Sequence, residues 1–234
     1  MENKIPDLQD SLRKNGFPRL SRREVETVNQ ESGGKTKVAV RKQWEFIDTE
    51  KRASVLVDTE FIVFQVTRYE VFEEYLEAFQ AVLHQFAYYA EPALLQRIGL
   101  RYIDLVVPTE GKALESYVSE KLRGFHVRED DPREAFRVES VSQTGEHSRF
   151  VHRYYEADRG LGFPPDLLPV SLRFDRDLQR ESPFGLLDMD HFMYFDDEFS
   201  VPRIINGLWS LHNHLTKAFE ASVTKVAMNE WSSS

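Results

Sequence analysis

The run Phe61-Ile62-Val63-Phe64-Gln65-Val66 is followed by apolar residues at Phe72, Leu76, Phe79, Leu83, Phe86 and Tyr89, and this pairing decides the fold. All but one of the first six residues are β-branched or aromatic, the composition of a strand. The second set recurs at steps of three and four, the spacing of one helix face, with Tyr75 and Val82 widening the stripe and Pro92 marking its end. A broad aromatic stripe directly after a strand belongs on the face of a sheet. The spacing therefore predicts an α+β protein.

Reading outward toward the N-terminus, residues 53–57 form a second strand, turned into the first by Asp58-Thr59-Glu60. Val38, Val40, Trp44 and Phe46 fall at even spacing, as on a half-buried strand, before a turn at 48–52. Together these make an antiparallel meander. Toward the C-terminus, 98–107 reads as a strand ended by Pro108. A polar connection over 109–133 holds a short amphipathic helix (Leu114, Tyr117, Val118, Leu122, Phe125) and a turn at Asp130-Asp131-Pro132. Residues 136–143 and 150–156 read as a hairpin about Gly145-Glu146. A Gly/Pro loop over 160–165, strands at 170–174 and 186–195, a helix over 201–221 and a last strand at 225–228 complete the chain.

Placing Phe61-Ile62-Val63-Phe64 over Phe192-Met193-Tyr194-Phe195 superimposes the two long helices: Phe79 meets Trp209, His84 meets His214 and Tyr89 meets Phe219. A duplicated strands-then-helix unit explains this, and so does the general likeness of amphipathic helices that follow aromatic strands. The expected architecture is an antiparallel sheet with two long helices packed on one face, leaving open whether the sheets of the two halves join. The expected segments are an arm over 1–35, basic and partly ordered with a short helix near 7–15, a first half over 36–108, the connection 109–133 and a second half over 134–234. Residues 36–234 are expected to form one compact unit.

Composition narrows the function classes. The chain has 234 residues, 12% aromatic, and no cysteine, which excludes a disulfide scaffold, a thiolate zinc site and a cysteine nucleophile. No apolar run reaches the roughly 18 residues of a membrane helix, and the charged N-terminus lacks a secretory signal, so the expected location is the cytoplasm. The net charge of −9 is uneven: residues 1–42 carry +4 and the rest −13. An acidic body repels phosphate backbones. The basic residues Arg13, Lys14, Arg19, Arg22, Arg23, Lys35, Lys37, Arg41 and Lys42 are the candidate contacts for an acidic protein partner, or for nucleic acid through the arm alone; a solvated arm is the competing reading.

Candidate chemistry is sparse. Asp188 and Asp190 share a strand face, with His191 on the other, and two such carboxylates are a weak candidate for a divalent cation. A solvated strand face is the leading reading, and the glycine turn and later glutamate of a calcium loop are missing. His212 and His214 lie about 200° apart on a helix and do not chelate together; one is expected partly buried and the other exposed. Asp104, close in sequence to Arg97 and Arg101, is read as a structural ion pair at a strand end. Serine-elbow, Ser-x-x-Lys, Walker and His-Glu-x-x-His motifs are absent, and Gly160-Leu161-Gly162 lacks the setting of a dinucleotide fingerprint. No catalytic residue, metal or cofactor is expected.

Phe17-Pro18, Trp44 with Phe46, the string Arg97-Ile98-Gly99-Leu100-Arg101-Tyr102-Ile103, Leu187-Asp188, and Leu211-His212 leading to Phe219 and Thr224 occur in this order. In this the chain resembles a sporadically distributed family of uncharacterised prokaryotic proteins of about this length, over nearly its whole extent. The resemblance implies no activity or catalytic residue; the family's patchy distribution implies accessory genes of defence or toxin–antitoxin type. The leading expectation is a non-enzymatic intracellular interaction protein, an accessory, antitoxin-like or defence-system subunit whose protein partner is encoded nearby. The alternatives are a small-ligand binder with a pocket between sheet and helices, and a nucleic-acid-associated protein acting through the arm.

Overall fold

The computed structural model describes residues 1–30, 36–68, 70–124, 135–157, 164–167, 171–175 and 184–232. The chain divides into two compact units, one of residues 1–92 with 169–176, the other of 93–168 with 177–234. Each is α+β and built on its own four-stranded antiparallel sheet. The expected class holds, and among the described residues the two sheets are separate.

In the first unit a 3-10 turn (Glu2–Lys4) leads into α1 (Ile5–Lys14), with Pro6 in the first turn, where its missing N–H breaks no helical bond. Strands β1 (Arg19–Gln30), β2 (Thr36–Ile47), β3 (Ala53–Val57) and β4 (Ile62–Val66) lie in chain order, followed by α2 (Phe72–Ala90). The β3–β4 turn is fixed by the Asp58 carboxylate, which accepts the N–H groups of Glu60 (2.6 Å) and Phe61 (3.0 Å). Alternation puts Trp44, Phe46, Val55, Val57 and Phe64 on one face, all buried. α2 lays Phe79 parallel to the Phe64 ring at 5.7 Å. α1 buries Ile5, Leu8 and Leu12 and is tied to α2 by the Ser11 hydroxyl donating to Gln85. On the opposite face the buried Glu45 accepts a bond from Ser171 (2.7 Å).

The second unit holds β5 (Leu94–Val106), β6 (Ala135–Gly145), β7 (Ser148–Ala157) and β8 (Phe184–Glu198) in the order β5-β8-β7-β6. Helix α3 (Val201–Ser222) is capped by the Ser200 hydroxyl and packs on β5 and β8. Gly207 permits the close approach, since a Cβ there would stand 2.9 Å from the Ile98 side chain. Short 3-10 turns (Leu114–Ser116, Glu120–Leu122) and α4 (Lys225–Trp231) close one end over Tyr117, Val118, Tyr154 and Leu187.

Several placements differ from the sequence reading. Residues 19–30, inside the expected arm, form β1, which pairs residue by residue with β2 from Arg19↔Ile47 to Gln30↔Thr36. Only Trp44–Ile47 of β2 continue into β3, so beyond them β1 and β2 run on as a two-stranded ribbon. Its apolar residues (Leu20, Val25, Val28) keep no single parity, which hides the strand. β5 follows α2 in sequence but joins the second sheet. Residues 225–228 are helical, not a strand: the Thr224 hydroxyl accepts the Ala227 N–H and starts α4. Residues 171–174 are irregular. Gly33-Gly34, the turn at 130–132, the Gly/Pro loop over 160–163, Phe125 and Val170 lie outside the described residues.

Candidate functional site

The clearest concavity lies within the first unit, between α1, α2 and the sheet. One stripe of α2 (Tyr75, Ala78, Ala81, Val82 and Gln85) forms a wall, Leu12 and Phe17 form the facing wall, and Ala53, Phe64 and Val66 form the floor. The volume is about 410 Å³, within the range of small-ligand sites. Its origin is local. The stripe of α2 that meets the sheet carries large residues (Phe72, Leu76, Phe79, Leu83, Phe86), whereas the neighbouring stripe carries Ala78 and Ala81, too small to fill the space beside α1.

The interior is apolar and the rim is charged. Asp48, Glu70 and Glu74 stand there with Arg68, whose guanidinium is held by Glu70 (Nε 3.1 Å, Nη2 3.0 Å). The Tyr75 hydroxyl donates to the Phe64 carbonyl at 3.4 Å. The groove thus offers an apolar surface and hydrogen-bonding edges, and no nucleophile–base pair lines it.

The titratable residues singled out in the sequence gather in the second unit, on opposite faces of its sheet. On one face Asp188, wholly buried, accepts two bonds from Arg101 (Nε 2.6 Å, Nη2 2.7 Å) and one from Arg153 (3.2 Å). Arg101 also binds Asp166 (2.5 Å), and Arg153 binds Glu139 (2.5 Å). Asp190 shares this face; burial pushes its carboxyl up, and Arg97 lies 3.6 Å away. Both oxygens of Asp188 are engaged by guanidinium, and Asp188 and Asp190 lie together in a network of arginine ion pairs. Among the described residues no three or more His, Cys, Asp or Glu side chains come together as for a metal.

The expected partnership of Asp104 with Arg97 or Arg101 is corrected by strand parity. Positions 97 and 101 point to the Asp188 face, whereas Asp104 points to the α3 face, where burial raises its carboxyl to about 6. That face also carries the histidines. The Tyr102 hydroxyl meets His212 Nδ1 at 2.8 Å, His152 Nε2 meets the Ser222 hydroxyl at 2.8 Å, and His191 Nε2 meets the Thr144 hydroxyl at 2.8 Å. His191 is buried, the Leu211 backbone lies within reach of its ring, and that ring lies 4.5 Å from the ring of His214. Burial pulls all three of His152, His191 and His214 below the usual imidazole range. His212 and His214 are both half-buried, reaching β5 and β7–β8 from opposite flanks of α3, where one exposed residue was expected.

The described basic candidates lie on α1 and on the paired strands β1 and β2. Arg13 and Lys14 end α1 and both bind Asp10. Arg19, Arg22 and Arg23 lie on β1, and Lys37, Arg41 and Lys42 on β2. Arg41 pairs with Glu60 and Lys42 with Glu2, each at 2.6 Å. Lys35 lies outside the described residues.

Compared with family models, with curated proteins and with solved structures, the chain matches none. No helix of the described residues is long and apolar enough to cross a membrane. A pocket between sheet and helices is among the alternatives read from the sequence; its place beside α1 is not, because alanine is neutral in any pattern.

Proposed function

We propose that this is a non-enzymatic binding protein whose site is the groove of the first unit, and that the groove takes a compact apolar ligand. The observation that carries this reading is an apolar hollow of about 410 Å³ kept open by Ala78 and Ala81 between two helices and a sheet. Water gains little from such a surface, so an apolar group that displaces it is favoured by roughly 25 cal/mol for each Å² covered. The acidic rim favours a ligand whose polar end donates hydrogen bonds or is cationic. Service as an accessory, antitoxin-like or defence-system subunit is a proposal about biological setting that rests on the resemblance alone.

The test is native mass spectrometry of the full chain beside its Ala78→Phe variant, together with fluorescence of N-phenylnaphthylamine, an apolar probe. The expected result is added mass or probe fluorescence on the parent chain, lost in a variant that keeps its melting temperature. Probe binding untouched by the substitution, or absent from both, contradicts the groove. A mass gain equal to a different protein chain, lost in the Ala78→Phe variant, would mean that the groove takes a partner's side chain instead of a free molecule.

A further inference from the structure

The two units differ at one corresponding place. In each, a strand leads directly into the long helix that crosses its own sheet: β4 into α2, and β8 into α3. The outer edge of β8, away from β7, is covered by thirteen-residue β5. The outer edge of β4, away from β3, pairs with no strand among the described residues.

That edge lacks the charges, prolines and bulges that keep edges apart. Ile62-Val63-Phe64-Gln65-Val66 contains no charge, no proline and no bulge, and Val63 is 37% exposed. Such an edge is a template for another strand. The charges stand just outside it: Glu60 before the strand and Arg68 after it, both well exposed. If two copies of β4 meet antiparallel, a single register pairs all five residues, the one centred on Phe64. It places Ile62 opposite Val66, Val63 opposite Gln65, and Glu60 opposite Arg68 of the second copy, twice by symmetry. Ile62 then faces Val66, Phe64 faces Phe64, Val63 faces the uncharged Gln65, and Glu60 and Arg68, held in their own chain by Arg41 and Glu70, each meet an opposite charge. The Phe64 carbonyl already accepts a long bond from Tyr75, and its second lone pair remains for a strand partner.

We infer that β4 is a self-association edge and that a second copy of this chain is its occupant, joined antiparallel about Phe64. The contact between two five-residue strands is smaller than a standard interface, so association is weak, with half-dimerisation on the order of tens of micromolar. Phe64 and Val66 of this strand also floor the groove, but Val63 and Gln65 point to the opposite face of the sheet, so substitutions there read association apart from ligand binding.

The absence of native cysteine makes the register directly readable. Single variants Val63→Cys and Gln65→Cys are mixed in equal amounts and oxidised mildly. In the inferred register these two positions face each other at a distance that a disulfide spans. The expected product is the mixed 63–65 dimer, well above the statistical share of about half. Sedimentation of the unmodified chain moves from 27.4 kDa toward twice that mass as concentration rises through about 100 µM, and Val63→Lys holds it at the monomer. If Val63→Lys fails to fold, the cysteine mixture still decides. A constant 27.4 kDa at all concentrations, or cross-links in statistical proportion, overturns the inference. So does a monomer that captures a strand from a different protein on this edge.

Discussion

At Asp104, His191 and His214, burial moves ionisation in opposite directions, and the consequences for stability have opposite signs. The histidines are held below their usual range, so the unfolded chain binds more protons than the folded one as pH falls below about 6.5. Their stabilising contribution is present above that value and is lost on acidification. Asp104, raised to about 6, behaves in reverse: the folded state holds the proton more tightly, and the advantage disappears as pH rises from about 4 to about 6. Asp104→Asn is therefore expected to raise the melting temperature at pH 8 by a few degrees and to change it little at pH 4, measured by circular dichroism. His191→Asn with His214→Asn flattens the loss of stability between about pH 7 and 5. The positions of these residues on strands and helix were legible in the sequence, and strand parity alone separates Asp104 from Arg97 and Arg101. Their depth was not, because burial depends on what α3 covers.

Among elements, the central strand β8 carries the tightest constraint. Arg101 from β5 and Arg153 from β7 converge on a carboxylate that has no access to water. Arg101→Ala leaves that charge underpaired and is expected to cost about 3 kcal/mol in denaturant unfolding. Replacing Asp188 by Asn in the same chain recovers part of the loss, since it removes the buried charge. Three residues before Asp188, Gly185 lies against buried Tyr154, and a Cβ there would stand 2.6 Å from the ring. Gly185→Ala is expected to lower stability by about 1–3 kcal/mol. Strands with one-sided apolar alternation and the two long helices announce themselves by period. β1 does not, because its apolar residues change parity; α4 does not, because a seven-residue helix shows barely two turns of any period.

For the whole molecule, the sequence gives the class and most of the elements, but not the division of the sheets. A strand that follows a helix in sequence carries no mark of which sheet it will join, and β5 joins β8 by pairings as distant as Leu94↔Glu198. A pocket between sheet and helices is among the sequence expectations, but its location is not legible for a related reason: the hollow is set by side chains that are small at 78 and 81 while α1, far along the chain, supplies the opposite wall. The account's central claim is that this hollow binds an apolar group. Methyl NMR of the full chain, titrated with N-phenylnaphthylamine, tests it most directly. The account predicts shifts at the groove methyls of Leu12, Ala53, Val66, Ala78, Ala81 and Val82, with those of Val141 and Val226 unmoved. Shifts at the latter two alone, or none at saturating probe, would contradict it.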